Sequence, residues 1–367
     1  MQITAAVART KGQPLTLETL ELDELRPNEA RIKMVASGVC HTDAIVRDGI
    51  YPTPLPAVLG HEGAGIVDAV GDAVTTVSVG DHVVLSAAYC GKCDRCRSAE
   101  MAYCENLFAA DFGGRRADGS TAFSDAEGTV ISSHFFGQSS FATYANVVEE
   151  SLVKIDPDVP LELVAPLGCG LQTGAGTVLN ELQPKLGSTL VVLGTGAVGS
   201  GAIMAGVVAD CAQVIAVDIH DSRLELAKEL GATGTINTKT EKLAEAVMAL
   251  TGGRGADYIV DTTARPELLE QAVDALALRG TLAIVGAAAP GTTANFEIGA
   301  SLVKGWTLKM VIQGSSVPQV FIPRLIQLWR DGKFPFDKLI THYAHESINQ
   351  GFDDSKSGVT VKPVIRY

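Results

Sequence analysis

The chain has 367 residues, more than one ordinary hydrophobic core absorbs, and this points to two domains. Its apolar fraction of 46% is ordinary for a globular protein, while charged residues, at 19%, are fewer than usual. A formal charge of −13 speaks against nucleic acid and anionic membranes as partners, because both require basic patches.

The opening residues, MQITAAVARTKG, lack the continuous apolar core of a secretory signal. The expectation is a cytoplasmic protein in a reducing compartment, where clustered thiols among the seven cysteines bind metal more often than they pair. The first domain reads as β-rich, with strand candidates at 31–35, 65–70 and 81–85 punctuated by Gly and Pro. Two short motifs fall among them, Cys40-His41-Thr42-Asp43 and Gly60-His61-Glu62-Gly63. Next comes C-x2-C-x2-C-x7-C, formed by Cys90, Cys93, Cys96 and Cys104 in a lobe over about 89–105. Four thiolates close a tetrahedral shell around zinc and leave no open position, so this lobe is scaffolding; an iron–sulfur cluster or two disulfides are the alternatives. Cys169 lies in Pro166-Leu-Gly-Cys-Gly-Leu-Gln-Thr173, where the second domain begins. Two cysteines and one histidine match a catalytic zinc with an open fourth position, although a single cysteine reads equally as a small buried hydrophobe.

After about Pro166 the texture changes. Apolar runs (LVVLG, QVIAVD, ADYIVD, GTLAIVG) alternate with helical patterns at 222–230, 241–250 and 267–278, which implies βαβ units and a parallel sheet with helices on both faces. Residues 190–209 carry no charge and are long enough to cross a bilayer. Their five glycines and the switch from Leu-Val-Val-Leu to Gly-Thr-Gly read instead as a buried strand, a tight turn and a buried helix, so the expectation is a soluble protein. Gly194-Thr-Gly196-Ala-Val198-Gly199 follows one strand candidate, and the next, Gln213-Val-Ile-Ala-Val, ends in Asp218. Glycines let the backbone approach a pyrophosphate, and a helix N-terminus offers it oriented N–H groups. Asp218 can accept from an adenosine ribose and would repel a 2′-phosphate, so NAD is expected over NADP. Arg223 either flanks the adenosine or is a solvated helix residue. Cys211 reads as a core thiol.

GHEGAGIVDAVGDAV, the four-cysteine lobe, GCGLQTGAG and GTGAVG occur in the order found in zinc-dependent medium-chain alcohol dehydrogenases, and the chain resembles that family over essentially its whole length. The resemblance implies an α/β protein with a GroES-like β-rich catalytic domain (1–165), a Rossmann NAD-binding domain with a doubly wound parallel sheet (166–304), and a return to the catalytic domain (305–367). The active site would lie in the cleft between them. It implies two zinc ions, a catalytic one on Cys40, His61 and Cys169 and a structural one on the four clustered cysteines. Thr42 resembles the hydroxyl that takes the substrate proton, though it also suits a loop cap. Asp43 would orient His61. Glu62 resembles an acid near the metal, or is an ion-pair partner. His41, Thr173, Val198 and Lys362 join Gly194, Gly196, Gly199, Asp218 and Arg223 as cofactor-binding positions. A dimer or tetramer paired through the Rossmann sheet is implied as well.

The sequence departs from the family's pattern in three places. Ile45 stands where a histidine passes the proton to solvent, His41 where some relatives have an arginine facing the cofactor phosphates, and Lys362 where the family has an arginine. Segment 106–136 is long and ends in Ser133-His-Phe-Phe136, with Phe135 matching a pocket wall and Phe136 reading as core. Ala287 and Ile312 are expected to add to the pocket, and Ser86 replaces a bulkier residue. The chain is most similar to the aryl-alcohol (benzyl alcohol) branch. Its implied activity is interconversion of a primary aryl or allylic alcohol and its aldehyde. A glutathione-dependent formaldehyde dehydrogenase, a geraniol-type enzyme and a non-catalytic NAD- and zinc-binding protein are the alternatives.

Overall fold

The alternation read after Pro166 forms a six-stranded, all-parallel sheet. The computed structural model describes every residue from Met1 to Tyr367. Strands run in the order Gly234–Asn237, Gln213–Asp218, Thr189–Leu193, Ala256–Asp261, Leu276–Ile284 and Thr307–Met310. This is the doubly wound order whose reversal lies beside the first strand, Thr189–Leu193. That strand and helix Ala197–Val208 account for the uncharged stretch at 190–209, and no helix is long and apolar enough to cross a membrane.

The expected helix at 267–278 ends earlier. Helix Pro266–Ala275 passes directly into strand Leu276–Ile284, whose Leu276 and Leu282 are fully buried beside Ala256–Asp261. Apolar periodicity over so few residues cannot separate a buried strand from a helix end.

The chain divides into two compact units. One comprises Met1–Cys169, Val317–Ile326 and Leu339–Tyr367, and the other Gly170–Ser316 and Gln327–Lys338. The first crossing therefore falls after Cys169 rather than after 165. Thr307–Met310 still belongs to the parallel sheet, so the return begins at Val317 rather than at 305, and residues 327–338 interrupt it.

The first unit is built on mainly antiparallel sheets, with Ile340–Ala344 joining Lys362–Arg366 in parallel. In the larger one the order is Leu152–Ile155, His82–Leu85, Gly63–Val70, Glu29–Gly38, Lys362–Arg366 and Ile340–Ala344, with Tyr144–Val148 also pairing with Glu29–Gly38. Glu29–Gly38 and Gly63–Val70 lie side by side with Ser37 opposite Gly63. The residues that follow one strand and precede the other, Cys40 and His61, therefore emerge at the same end of the sheet. His82–Leu85 is the next neighbour, with Val84 opposite Ala64, and Ser86 emerges there too.

One buried ion network braces this unit. Arg116 donates to Glu29 through Nε (2.7 Å) and Nη2 (3.0 Å), and to Asp23 through Nη1 (2.9 Å). His134 Nε2 donates to Glu29 Oε1 at 2.8 Å, while its Nδ1 accepts the Ser133 hydroxyl, also at 2.8 Å. Burial alone would push the Glu29 carboxyl up; hydrogen bonds from His134 and Arg116 override it and hold it at about 2. A carboxyl lowered from 4.5 to about 2 stabilises the fold fully above pH 4.5, and that stabilisation is lost as pH falls through 2. Wild type is therefore expected to lose on the order of 2–3 kcal/mol more than Glu29→Gln between pH 5 and pH 2.5 in urea unfolding. Both proteins share every other titrating group, so parallel curves would assign no such role to Glu29.

Candidate functional site

Two strand ends and one turn assemble a cluster in the first unit. Cys40, His61, Glu62 and Cys169 bring one ligand atom each to within 4.8 Å of one another. Asp43, fully buried in the first turn of helix His41–Arg47, ties two of them together. Its Oδ2 accepts the Cys40 N–H (2.9 Å), and its Oδ1 accepts the Gly60 N–H (3.1 Å) and the His61 ring Nδ1–H (2.9 Å). That bond fixes the imidazole tautomer and turns a bare Nε2 toward the sulfurs. His61 Nε2 is buried and has no hydrogen-bond partner. An orphaned imidazole nitrogen beside two thiols is a donor set that suits zinc, whose tetrahedral thiolates sit about 3.8 Å apart at bond lengths of about 2.3 Å. A hydrogen bond from Cys169, with the Lys362 ammonium nearby, draws the Cys40 thiol well down against its burial, and the shared proton pushes Cys169 well up.

Cys169 reaches the cluster from the turn Ala165–Gly168. The Ser86 hydroxyl donates to Gly168 O at 2.8 Å, so this serine is a buried tie to the ligand turn and not only added room. Glu62 faces Lys362, whose Nζ lies 2.5 Å from Glu62 Oε2 and donates to Val39 O at 3.0 Å. Burial lifts the Glu62 carboxyl to about 7 against the pull of Lys362. Lys362 is itself only 2% exposed, which places it under the Cys40 turn with Glu62 rather than on a surface open to a cofactor. His41 is exposed and Thr42 half-buried at the start of the same helix, where Ile45 is buried.

Aromatic rings close around the imidazole. Phe136 stacks on His61 at 4.5 Å, Phe135 meets it edge-on at 5.5 Å, and Phe112 packs on both phenylalanines at 5.0 and 5.9 Å. Phe135, expected as a pocket wall, is 1% exposed and belongs to the core along with Phe136. The turn that carries them is strained, with His134, Phe136 and Ser139 at φ of 57°, 53° and 57°. It also carries a residue that sequence reasoning passed over. Gln138 is fully buried, donates Nε2 to His61 O and to Ser86 O (both 3.0 Å), and accepts the Gly63 N–H (3.1 Å). Nothing in its sequence context marks it, because all three partners are backbone groups distant along the chain.

The second cysteine cluster forms as the spacing predicts. Cys90, Cys93, Cys96 and Cys104 also place their ligand atoms within 4.8 Å of one another, and no disulfide joins any of the seven cysteines. Backbone N–H groups of Cys93 and Asn106 point at the sulfurs of Cys90 and Cys104, each at 3.4 Å. Such donors favour thiolates, and the Lys92 N–H leads the set that pulls Cys90 down to about 6.

In the second unit the turn after Thr189–Leu193 is shaped for close approach. Gly194 has φ +85°, and a side chain on Gly199 would run into Gly194 O. Gly196 is the N-cap of helix Ala197–Val208, and Val198 is half-buried in its first turn. Asp218 ends its strand as predicted, but its carboxylate is already filled. Oδ2 accepts the N–H and hydroxyl of Thr195, each at 2.8 Å, and Oδ1 accepts from Ile219 N (2.7 Å) and His220 N (3.0 Å). Burial would raise this carboxyl; the four donors hold it below the usual range. Thr195 is thus a partner of Asp218 that the sequence pattern left blank. Arg223 lies half-buried on helix Asp221–Glu229, and Thr173 is buried in helix Gly170–Gly176. Ala287 and Ile312 are exposed, each just past the end of a strand of the same sheet.

Comparison with known proteins agrees with this anatomy. Residues 26–157 match the family model of the alcohol dehydrogenase GroES-like domain, and residues 197–329 that of the zinc-binding dehydrogenase. A solved alcohol dehydrogenase zinc-binding domain protein from Burkholderia ambifaria is 50% identical with a TM-score of 0.98, over 100% of this chain and 99% of that one. The benzyl alcohol dehydrogenase of Acinetobacter calcoaceticus is 48% identical with a TM-score of 0.96, again over 100% and 99%. A geraniol dehydrogenase from Castellaniella defragrans is 41% identical across 99% of this chain and 97% of its own length.

Proposed function

The chain belongs to the zinc-dependent medium-chain alcohol dehydrogenases, and on that premise we propose that it oxidises a primary aryl or allylic alcohol to its aldehyde, reversibly, with NAD. The observation that carries the chemistry is the inward His61 Nε2, held by Asp43 and flanked by the Cys40 and Cys169 sulfurs. We assign Cys40, His61 and Cys169 to a catalytic zinc and the four clustered cysteines to a structural one. Bound zinc supplies Lewis acidity that brings a hydroxyl within reach of ionisation near neutral pH, and NAD supplies the hydride acceptor.

The chain's own residues do the rest. Thr42 Oγ1 takes the substrate's hydroxyl proton. Ile45 cannot carry it onward, and the neighbouring exposed His41 is the nearest imidazole along the helix that can. Asp43 keeps His61 in one tautomer, and Glu62 with Lys362 completes the charge balance beneath the thiols. Gly194, Gly196 and Gly199 admit the pyrophosphate to the start of helix Ala197–Val208, and Asp218 selects against a 2′-phosphate.

The relatives named for benzyl alcohol and geraniol favour an apolar aryl or allylic alcohol. NADH formation with benzyl alcohol, geraniol and ethanol tests the assignment. The expected kcat/KM for benzyl alcohol or geraniol exceeds that for ethanol by about 100-fold, the discrimination an apolar pocket can supply. Preference for ethanol would overturn it.

We further propose a homo-oligomer, supported by the apolar surface beside edge strand Thr307–Met310, where Ile298, Leu302 and Val303 are 84%, 81% and 80% exposed. A cytoplasmic location accords with seven unpaired cysteines.

A further inference from the structure

We propose that Gln138 is a positioning residue that sets the separation of His61 and Cys169, an inference that rests on the catalytic-zinc reading above. Three facts converge on this side chain. Its carboxamide is fully buried and makes three hydrogen bonds, all to main-chain groups at the ends of two neighbouring strands: His61 O, Gly63 N and Ser86 O. Its orientation is determined, because exchanging its oxygen and nitrogen would set a carbonyl against two carbonyls and an amine against an N–H. And its partner Ser86 continues the link, since the Ser86 hydroxyl donates to Gly168 O, one residue before Cys169.

The path Gln138–His61 on one side and Gln138–Ser86–Gly168–Cys169 on the other spans two of the three ligands from outside the metal shell. Asp43 cannot perform this task, because its bonds reach Cys40, Gly60 and the His61 ring but not Cys169. The turn carrying Gln138 is clamped on both flanks. Upstream, His134 is locked between Ser133 and Glu29; downstream, Ser139 Oγ donates to Val58 O (2.7 Å) while accepting the Phe135 N–H (3.0 Å), and Ser140 N donates to Gly60 O (2.9 Å). Three non-glycine residues at positive φ within six positions persist only where the surroundings over-determine them. The geometry that needs this strain is the one that delivers the Gln138 amide between His61 and Ser86 while laying Phe136 on the imidazole.

The test uses the zinc-loaded full-length protein and a chromogenic chelator that reports each zinc released. Gln138→Met keeps the bulk and removes all three bonds. Its catalytic-site zinc is expected to bind about 10- to 100-fold more weakly, the usual cost of losing an outer partner of a metal site. The four-cysteine zinc and NADH binding are expected to stay unchanged. Cobalt placed in the catalytic site reports geometry directly, and its visible bands should shift in Gln138→Met. Should Gln138→Met not fold, Gln138→Glu decides: it retains the acceptor for Gly63 N–H, lacks the amide donors, and should show the same weakening. Unchanged zinc affinity and an unchanged cobalt spectrum in the folded variant overturn the proposal, even where the melting temperature falls. The underlying reading fails separately: if Cys169→Ser retains two zinc ions, the metal site itself is misassigned, whatever Gln138 does.

Discussion

Cys169→Ser is expected to yield a folded protein with one zinc ion per subunit instead of two and alcohol oxidation reduced at least about 1,000-fold. Serine's hydroxyl is a hard, protonated donor in place of a thiolate, and Cys40 with His61 alone cannot complete a shell that retains the metal. A Lewis acid contributes several kcal/mol of charge stabilisation in reactions of this type, and each decade of rate corresponds to about 1.4 kcal/mol. The fold should survive, because Asp43 keeps Cys40 and His61 in place without Cys169. Cys211→Ser is the control: this thiol belongs to the second unit, outside both cysteine clusters, and its replacement should alter neither zinc content nor rate. Zinc by atomic absorption and NADH formation give the answer. Two zinc ions with activity within tenfold of wild type would place Cys169 outside the shell.

Lys362→Met is expected to destabilise the first unit by about 3–5 kcal/mol, the range for removing one partner of a buried ion pair. The ammonium is 2% exposed, lies 2.5 Å from Glu62 Oε2 and bonds Val39 O, so methionine leaves both a buried carboxylate and a carbonyl without their cation. Burial already lifts Glu62 to about 7, and loss of Lys362 removes the largest force opposing that rise. The double variant Lys362→Met, Glu62→Gln should recover about half of the loss or more, since no uncompensated charge remains. Urea unfolding of the four proteins of this cycle measures it. A loss below 1 kcal/mol for Lys362→Met would mean that water compensates Glu62 and that the pair is not sealed.

The coenzyme fold was legible because its signals are local. An apolar strand, a glycine turn and a helix lie consecutively at Thr189–Val208, and the acid falls at the end of the next strand. The cysteine lobe was equally plain, since four ligands within one short segment constrain one another by spacing alone. The catalytic cluster was harder. Cys40, His61 and Cys169 come from separate parts of the chain, and only their motifs' resemblance to a family joined them before the geometry did. What stayed hidden was everything held through main-chain atoms. Gln138 bonds three backbone groups, and Thr195 fills the carboxylate of Asp218 from the unspecified position of a glycine motif. A backbone group carries no residue identity, so no pattern of letters announces such contacts. Phe135 misled in another way: its position matched a pocket wall, but ring packing with Phe112 and Phe136 drew it into the core.

The first unit's main sheet is closed by strand Lys362–Arg366, which pairs with Glu29–Gly38, and Lys362 bonds a carbonyl 323 residues away in sequence. Synthesis on the ribosome therefore delivers the zinc-binding unit's first strands early and its last strand late, after the whole dinucleotide unit has emerged. The coenzyme half can finish folding while the metal half is still an open sheet with Glu62 awaiting its lysine. A nascent chain in that state presents an unpaired strand edge and exposed thiols together, and the hazard lasts until strand Lys362–Arg366 emerges. A chain truncated ahead of Lys362 would lose the buried cation and the strand that pairs with Glu29–Gly38 at once.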